Sequence, residues 1–456
     1  MEQTLVDLML FGLLAVTIGM LTLFGMVHFE LGPAARLAGG KRWLLAIALG
    51  SGVLAFAVKL VLIATLVNFP QYTIRPLLNP VEIDRSARLS TPSKAPTDRW
   101  LIMPDQDVPV SATAAAYVWE ALPNRAPSPA DNPTSAEKIA LGKRLFFDKQ
   151  LSRDGTVSCA SCHDVISGAG ADGRALSIGV DGREGQRNAP TVWNAGFQSV
   201  LFWDGRAASL EEQVSGPLLN PLEMAMPSLA EVERRVGQQA SYRRAFTRAF
   251  GGDGVLNFRR IAQAIAAYER SLISNDSPYD RFVNGETDAL TADQLRGMRY
   301  FETLGCVNCH YGANFSAASL LSRGMPLRIF PTYPSDYDEK YPLREVIDAL
   351  SPTLATGVWR VPSLRNVALT GPWLHNGSVS ELSEAVRIMA AAQLGYGGRR
   401  LLWSMRDRQF REISRPELNE QVINDLVAFL RGLSSDRLRE AQQAAARQLS
   451  SVNKVQ

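Results

Sequence analysis

Two short strings constrain this chain more than anything else in it. Cys159-Ala160-Ser161-Cys162-His163 and Cys306-Val307-Asn308-Cys309-His310 repeat one pattern, and together they use all four cysteines. Two thiols three positions apart can each add to one vinyl group of a haem, and the histidine that follows is placed to bind the iron. Cys-x-x-Cys-His therefore reads as covalent c-type haem attachment. Two other readings compete. A redox dithiol gives no reason for a histidine after both second cysteines. A four-thiolate zinc ribbon spaces its pairs by about 15–20 residues, whereas well over a hundred residues separate these pairs. The chain is expected to carry two covalently bound haem c groups.

The 456 residues allow two or three domains. A formal net charge of +3, with no basic run interleaved with aromatics, argues against nucleic acid as a partner. Haem c is attached outside the cytoplasm in bacteria, which places the haem domains in the periplasm. Two apolar runs, Leu8 to Val27 and Trp43 to Val67, are each near the roughly 20 residues that cross a bilayer as a helix. A cleaved signal peptide competes for the first run, but Met1-Glu2-Gln3 lacks the positive start and no clean cleavage site follows. Arg36, Lys41 and Arg42 between the runs are cytoplasmic by the positive-inside rule, so everything after Val67 lies on the outer face. The expectation is an anchor in the bacterial inner membrane. Lys59 is expected to snorkel from the outer end of the second helix, with contact to a quinone or a partner helix as the alternative. His28 is an interfacial residue in this reading rather than a ligand.

Composition and periodicity divide the chain further. Residues 1–69 form the transmembrane hairpin, and 70–133 form a proline-punctuated tether with a short helix at Thr113–Ala121. Residues 134–290 and 291–436 form an N-terminal and a C-terminal haem domain, and 437–456 a polar surface helix. Within the haem domains a helix is expected from a Ser/Thr cap near Ser135. Amphipathic helices are expected at Arg259–Leu272, Asp293–Leu304, Leu382–Met389 and Glu420–Leu433. Little period-two alternation appears. The fold class is mainly α, two cytochrome c-like domains preceded by the hairpin.

Four strings carry a family resemblance over residues 135–433, about two thirds of the chain. They are Leu141-Gly142-Lys143-Arg144-Leu145-Phe146-Phe147-Asp148, Arg187-Asn188-Ala189-Pro190-Thr191, Phe202-Trp203-Asp204-Gly205-Arg206-Ala207 and Leu364-Arg365-Asn366-Val367-Ala368-Leu369-Thr370. This region resembles the bacterial dihaem cytochrome c peroxidases and their MauG-type relatives. The resemblance implies reduction of hydrogen peroxide to water at the N-terminal haem, with electrons arriving through a high-potential C-terminal haem.

It also implies roles for particular residues. His163 and His310 are the proximal ligands, and Met389 caps the C-terminal iron, where a thioether raises the potential. MauG has tyrosine at that position, so here the chain sides with the peroxidases. Many peroxidases of the family carry a distal histidine that falls at Val180 in this sequence, and valine cannot bind iron. Of the four histidines, His28 is on the wrong side of the membrane and His375 belongs near the C-terminal haem. The peroxide site is therefore expected to be open in every oxidation state. Glu223 matches the distal acid/base, Gln213 the residue that positions peroxide, Pro217 a residue packed on the distal face, and Trp203 a bridge between the haems. Asn188, Thr370 and Pro372 match a calcium site of neutral oxygens.

The leading reading is a membrane-anchored peroxidase fed by a small cytochrome c, a cupredoxin or a quinol, with a homodimer left open. A MauG-like enzyme that oxidises residues of a partner protein is the alternative, favoured by Val180 and opposed by Met389. A non-catalytic dihaem electron carrier is the third reading.

Overall fold

The computed structural model describes residues 117–452, apart from 253, 323, 334, 342, 344–356, 398, 405–408 and 415. The expected hairpin, and the tether up to residue 116, lie outside the described residues. Among the described residues no helix is long and apolar enough to cross a membrane.

The described body is mainly helical. In the first half these are α1 (Ala136–Phe146), the one-turn α2 (Cys159–Cys162), α3 (Leu210–Gln213), α4 (Ser215–Leu219), α5 (Leu229–Gln238), α6 (Ala240–Phe250) and α7 (Phe258–Ser271). Then follow α8 (Pro278–Val283), α9 (Ala292–Thr303), α10 (Tyr337–Lys340), α11 (Leu382–Leu394), α12 (Glu420–Gly432) and α13 (Asp436–Val452). The longer amphipathic helices stand within a residue or two of the expected bounds at most ends, and α11 runs on to Leu394. Side-chain caps explain several starts. Ser135 accepts from Lys138 N–H, Asn257 from Arg260 N–H, Thr291 from Gln294 N–H and Asn419 from Val422 N–H, each satisfying an orphan donor of the first turn.

Each half is built on one crossing of two helices, and the crossings are copies of each other. At Gly142 of α1 an added Cβ would stand 1.8 Å from the Ala264 carbonyl oxygen and 2.9 Å from Tyr268 Cβ of α7. At Gly297 of α9 it would stand 1.8 Å from the Asp425 oxygen and 2.8 Å from Phe429 Cβ of α12. Only hydrogen fits between the backbones, so the glycines fix the angle and depth of both crossings. Around the first pack Leu141, Leu145, Phe246, Ile261 and Ile265; around the second pack Phe301, Phe315, Ile423, Leu426 and Phe429.

Three segments differ from the sequence expectation. Residues 117–121 have no regular secondary structure where a helix was expected, and Tyr117 and Trp119 are buried in the second core although proline-rich sequence suggested a tether. Helix α8, expected in the N-terminal domain, contributes Tyr279, Phe282 and Val283 to the same core. Helix α13 is polar on its outside as expected, but Leu438 is buried among the first core's residues and Arg437 lies 5.0 Å over the Trp193 ring. Strands are few among the described residues. β1 (Leu327–Ile329) pairs antiparallel with β2 (Val358–Arg360), and β3 (Arg399–Ser404) with β4 (Gln409–Ser414).

The crossings make a direct prediction. Gly142→Ala or Gly297→Ala should force the helix pair apart and lower stability by about 1–3 kcal/mol, read as a fall in thermal midpoint. Gly237→Ala in α5, whose Cβ would meet only a Leu256 methyl at 3.9 Å, should leave the midpoint unchanged or raise it.

Candidate functional site: a shared cavity between two cysteine-histidine motifs

Both motifs open onto one cavity of about 750 Å³. Cys159, Cys162 and His163 line it from α2 and its end, and Cys306, Cys309 and His310 line it from a 3₁₀ turn at Cys306–Asn308. Gly305, at φ 97°, turns the chain into that second motif, a backbone conformation open to glycine without strain. Met389 of α11, Trp203, Gln213 at the end of α3, Glu223, Pro217, Asn188, Thr370, Pro372 and His375 line the same cavity. Val180 does not; it is fully buried in a 3₁₀ turn whose N–H donates to the Glu223 carbonyl at 2.9 Å.

All four cysteines are free of disulfides in this structure. Burial pushes the Cys159 and Cys306 thiols up to about 12 and Cys162 to about 11, so the three sit as neutral thiols in the lining. Burial lowers His163 and takes His310 down to about 4, so both rings are neutral. His163 Nδ1 lies 3.3 Å from the Gly170 carbonyl and His310 Nδ1 lies 3.1 Å from the Phe315 carbonyl. With Nδ1–H engaged, Nε2 keeps its lone pair for iron.

The remaining lining fits a haem on its charged side too. Arg328 and Arg360 are buried, and neither pairs with a carboxylate among the described residues. Arg360 donates to the Phe202 carbonyl and to Gln198 Oε1. Among the described residues Arg328 Nε, Trp359 Nε1 and His375 Nε2 are buried polar atoms with no hydrogen-bond partner. Haem propionates are acceptors that the buried guanidinium and indole N–H groups fit. The sequence reading named His375 without a role, and missed Arg328, Arg360 and Trp359. No motif marks them, and they come from separate segments.

Trp203 ties the halves together. Its Nε1 donates to the Asn188 carbonyl at 2.8 Å, its own carbonyl accepts from Arg360 N–H at 2.6 Å, and its ring packs against the cluster of buried residues that includes Phe330, Trp359 and Leu374, 6.5 Å from the His375 ring. The next residue, Asp204, is buried between Arg187 and Arg206 at 2.8 and 2.7 Å. Burial pushes its carboxyl up, and the two guanidiniums more than offset that, so it stays below the usual range. Arg187 lies 5.0 Å over the Trp359 ring, which stacks on His375 at 4.2 Å.

On the other side, α3 is fixed by Glu211, whose carboxylate takes a two-pronged pair from Arg270 of α7 at 2.7 and 2.8 Å. That pair sets where Gln213 stands. Asn220 Nδ2 donates to Glu223 Oε1 at 2.6 Å. A further carboxyl went unread in the sequence: Glu269 of α7 lines the cavity, is 6% exposed, and is raised to about 8 by burial.

Of the expected calcium residues, Asn188 uses Nδ2 toward the Arg174 carbonyl at 2.8 Å, and Thr370 Oγ1 lies 3.4 Å from the Val367 carbonyl. No group of three His, Cys, Asp or Glu that could hold a metal occurs among the described residues.

Fold and site thus define a two-haem protein whose halves share one interior. A family model described as di-haem cytochrome c peroxidase matches residues 136–288. The chain is 37% identical to the cytochrome c peroxidase Ccp of Escherichia coli K12 over 314 residues, which span 68% of this chain and 60% of that protein. It is 36% identical to the cytochrome c551 peroxidase of Nitrosomonas europaea, covering 71% of this chain and 88% of that one. The crystal structure of a MauG-like protein associated with microbial copper homeostasis superposes with a TM-score of 0.58 at 34% identity, covering 71% of this chain and 99% of that one. The chain belongs to the dihaem cytochrome c peroxidase/MauG family of oxidoreductases and binds two c-type haems.

Two outcomes follow from this site. Denaturing mass spectrometry should find two covalent haems on the mature protein and one on a Cys159→Ala/Cys162→Ala variant. Glu269 has a folded value near 8 against an ordinary 4.5, so its protonated form favours the fold and stability falls as pH rises between those values. Glu269→Gln should remove that slope, read by denaturant unfolding at pH 5 and pH 9, and raise stability at the higher pH.

Proposed function

We propose that this chain is a membrane-anchored periplasmic peroxidase that reduces hydrogen peroxide to water. Electrons would enter from an external donor through the C-terminal half and cross by way of Trp203. Haem at the N-terminal motif would supply the iron on which peroxide is reduced. His163 would hold that group, and position 180, a valine held out of the cavity, would offer it no second ligand. Gln213, fixed through the Glu211–Arg270 pair, would orient peroxide. Glu223 would take the proton from one peroxide oxygen and return it to the other, so that water departs rather than hydroxide. His310 and Met389 would hold the second group.

The observation that carries this reading is Glu223. It lines the cavity of both motifs, its carboxylate is aligned by Asn220 and its backbone is held by Val180. A surface glutamate would need neither hold. The hairpin of residues 1–69 supplies the anchor in this proposal, and the two haem domains follow it, with the α8 segment belonging to the second one. A calcium ion bound by Asn188, Thr370 and Pro372 would sit where the halves meet. A small cytochrome c or cupredoxin suits an exposed entry point, and quinol suits an anchored one.

A second reading is favoured by one observation. The lack of a ligand at Val180 equally suits a MauG-like enzyme that oxidises residues of a partner protein, and Met389 speaks against it.

Steady-state turnover decides between them. With reduced cytochrome c as donor, Glu223→Gln should lower kcat by about 10²–10⁴-fold with both haem spectra intact. An unchanged kcat would remove Glu223 from the reaction, and no turnover by the wild type with any reduced donor would favour the partner-protein reading. Low-temperature EPR of the oxidised protein should show one high-spin and one low-spin signal. Two low-spin signals would close the open site.

A further inference from the structure

Residues 117–126 do more than lead into the body; they are stitched to the turn that follows the second haem motif. Tyr117 Oη accepts the Gly312 N–H at 2.6 Å. The Gly312 carbonyl accepts the Phe315 N–H at 3.0 Å, and the Phe315 carbonyl stands 3.1 Å from His310 Nδ1. Three hydrogen bonds therefore run in series from the strap to the imidazole. Side chains support the same turn. Trp119 sits 6.2 Å from the Phe315 ring and 5.8 Å from Phe429, with the Tyr279 ring 4.9 Å from Phe315 on another side.

Phe315 needs that support. Its φ is 48°, a left-handed conformation that a bulky residue keeps only where its surroundings hold it. That conformation aims its carbonyl at His310. The first motif is mounted differently. His163 Nδ1 faces the Gly170 carbonyl at 3.3 Å, which also accepts the Val192 N–H at 3.3 Å. That turn is held from nearby: Gly170 N–H donates to the Asp164 carbonyl at 2.6 Å and Thr191 Oγ1 to the Ala169 carbonyl at 2.6 Å, and none of these partners belongs to residues 117–126.

We propose that the Tyr117–Trp119 strap is a positioning element for His310, holding the Phe315 carbonyl against Nδ1 and so setting how strongly this imidazole donates to the iron of the second haem alone. A firm Nδ1–H···O bond raises the basicity of a ligating histidine and favours ferric iron. Loosening it raises the midpoint potential. The inference rests on the second motif carrying a haem and not on peroxide turnover, so either can fail without the other.

The test uses the full-length holoprotein. Tyr117→Phe deletes the acceptor for Gly312 and keeps the ring, while Trp119→Leu removes the ring that backs Phe315. Haem content by pyridine haemochrome should match the wild type. Spectroelectrochemical titration should show the C-terminal midpoint shifted upward in Tyr117→Phe and further in Trp119→Leu, with the N-terminal midpoint unmoved and the low-spin EPR g-values displaced. An unmoved C-terminal midpoint in Tyr117→Phe, or an equal shift of both haems, would overturn the proposal. If Trp119→Leu yields no holoprotein, Tyr117→Phe alone decides.

Discussion

Burying a guanidinium away from any carboxylate is costly, and among the described residues Arg328 and Arg360 are buried in this way. Desolvation alone takes Arg360 down to about 10. Both line the cavity onto which the two cysteine-histidine motifs open. Such positive charge persists in a core only if something anionic belongs beside it, and a haem brings two propionates. The cofactor is in this sense part of the packing. Paired cysteines, neutral histidines and buried cations line the one cavity and would together hold such a group.

The halves share a plan and differ in its execution. The glycine crossings at Gly142 and Gly297 place equivalent helices against α7 and α12, so the scaffold is duplicated to within the contact distances quoted. What differs is the material around each histidine. The second has a methionine helix, an aromatic cluster and a left-handed Phe315; the first has a glycine turn, a short helix carrying Gln213 and a loop carrying Glu223. Duplication gave two mounts, and the surrounding residues made them unequal. Trp203 illustrates the join: it follows the first motif in sequence, yet its ring packs with the second half's residues.

Much of this was legible in the sequence for plain reasons. The motifs are local, so their spacing carries the chemistry. Helices such as Phe258–Ser271 and Glu420–Gly432 show one apolar face at helical period. The strap was not legible, because Tyr117 and Trp119 sit in a proline-punctuated stretch and no periodicity marks a single irregular pass through a core. Helix α8 was assigned to the wrong half for the same reason: six residues carry too little pattern to say which core they face. Arg328, Arg360, Trp359 and His375 meet only in space, brought together by a three-residue strand pair with no alternation to announce it.

The position at which relatives would place a distal histidine shows how one substitution changes a loop's work. The segment 177–185 folds back on itself through the Ile178–Glu184 bridge, and its Gly179 lies so close to the next loop that a Cβ would stand 1.9 Å from the Leu222 carbonyl oxygen. Val180 then donates its N–H to the Glu223 carbonyl. A loop pressed this tightly against residues 222–223 is a fixed wall, and Val180 is fully buried within it rather than directed into the cavity. The same contact that keeps position 180 out of the cavity holds the Glu223 backbone from behind, while Asn220 holds its carboxylate from in front. The exclusion of position 180 from the cavity and the fixed placement of Glu223 are thus two consequences of a single piece of packing.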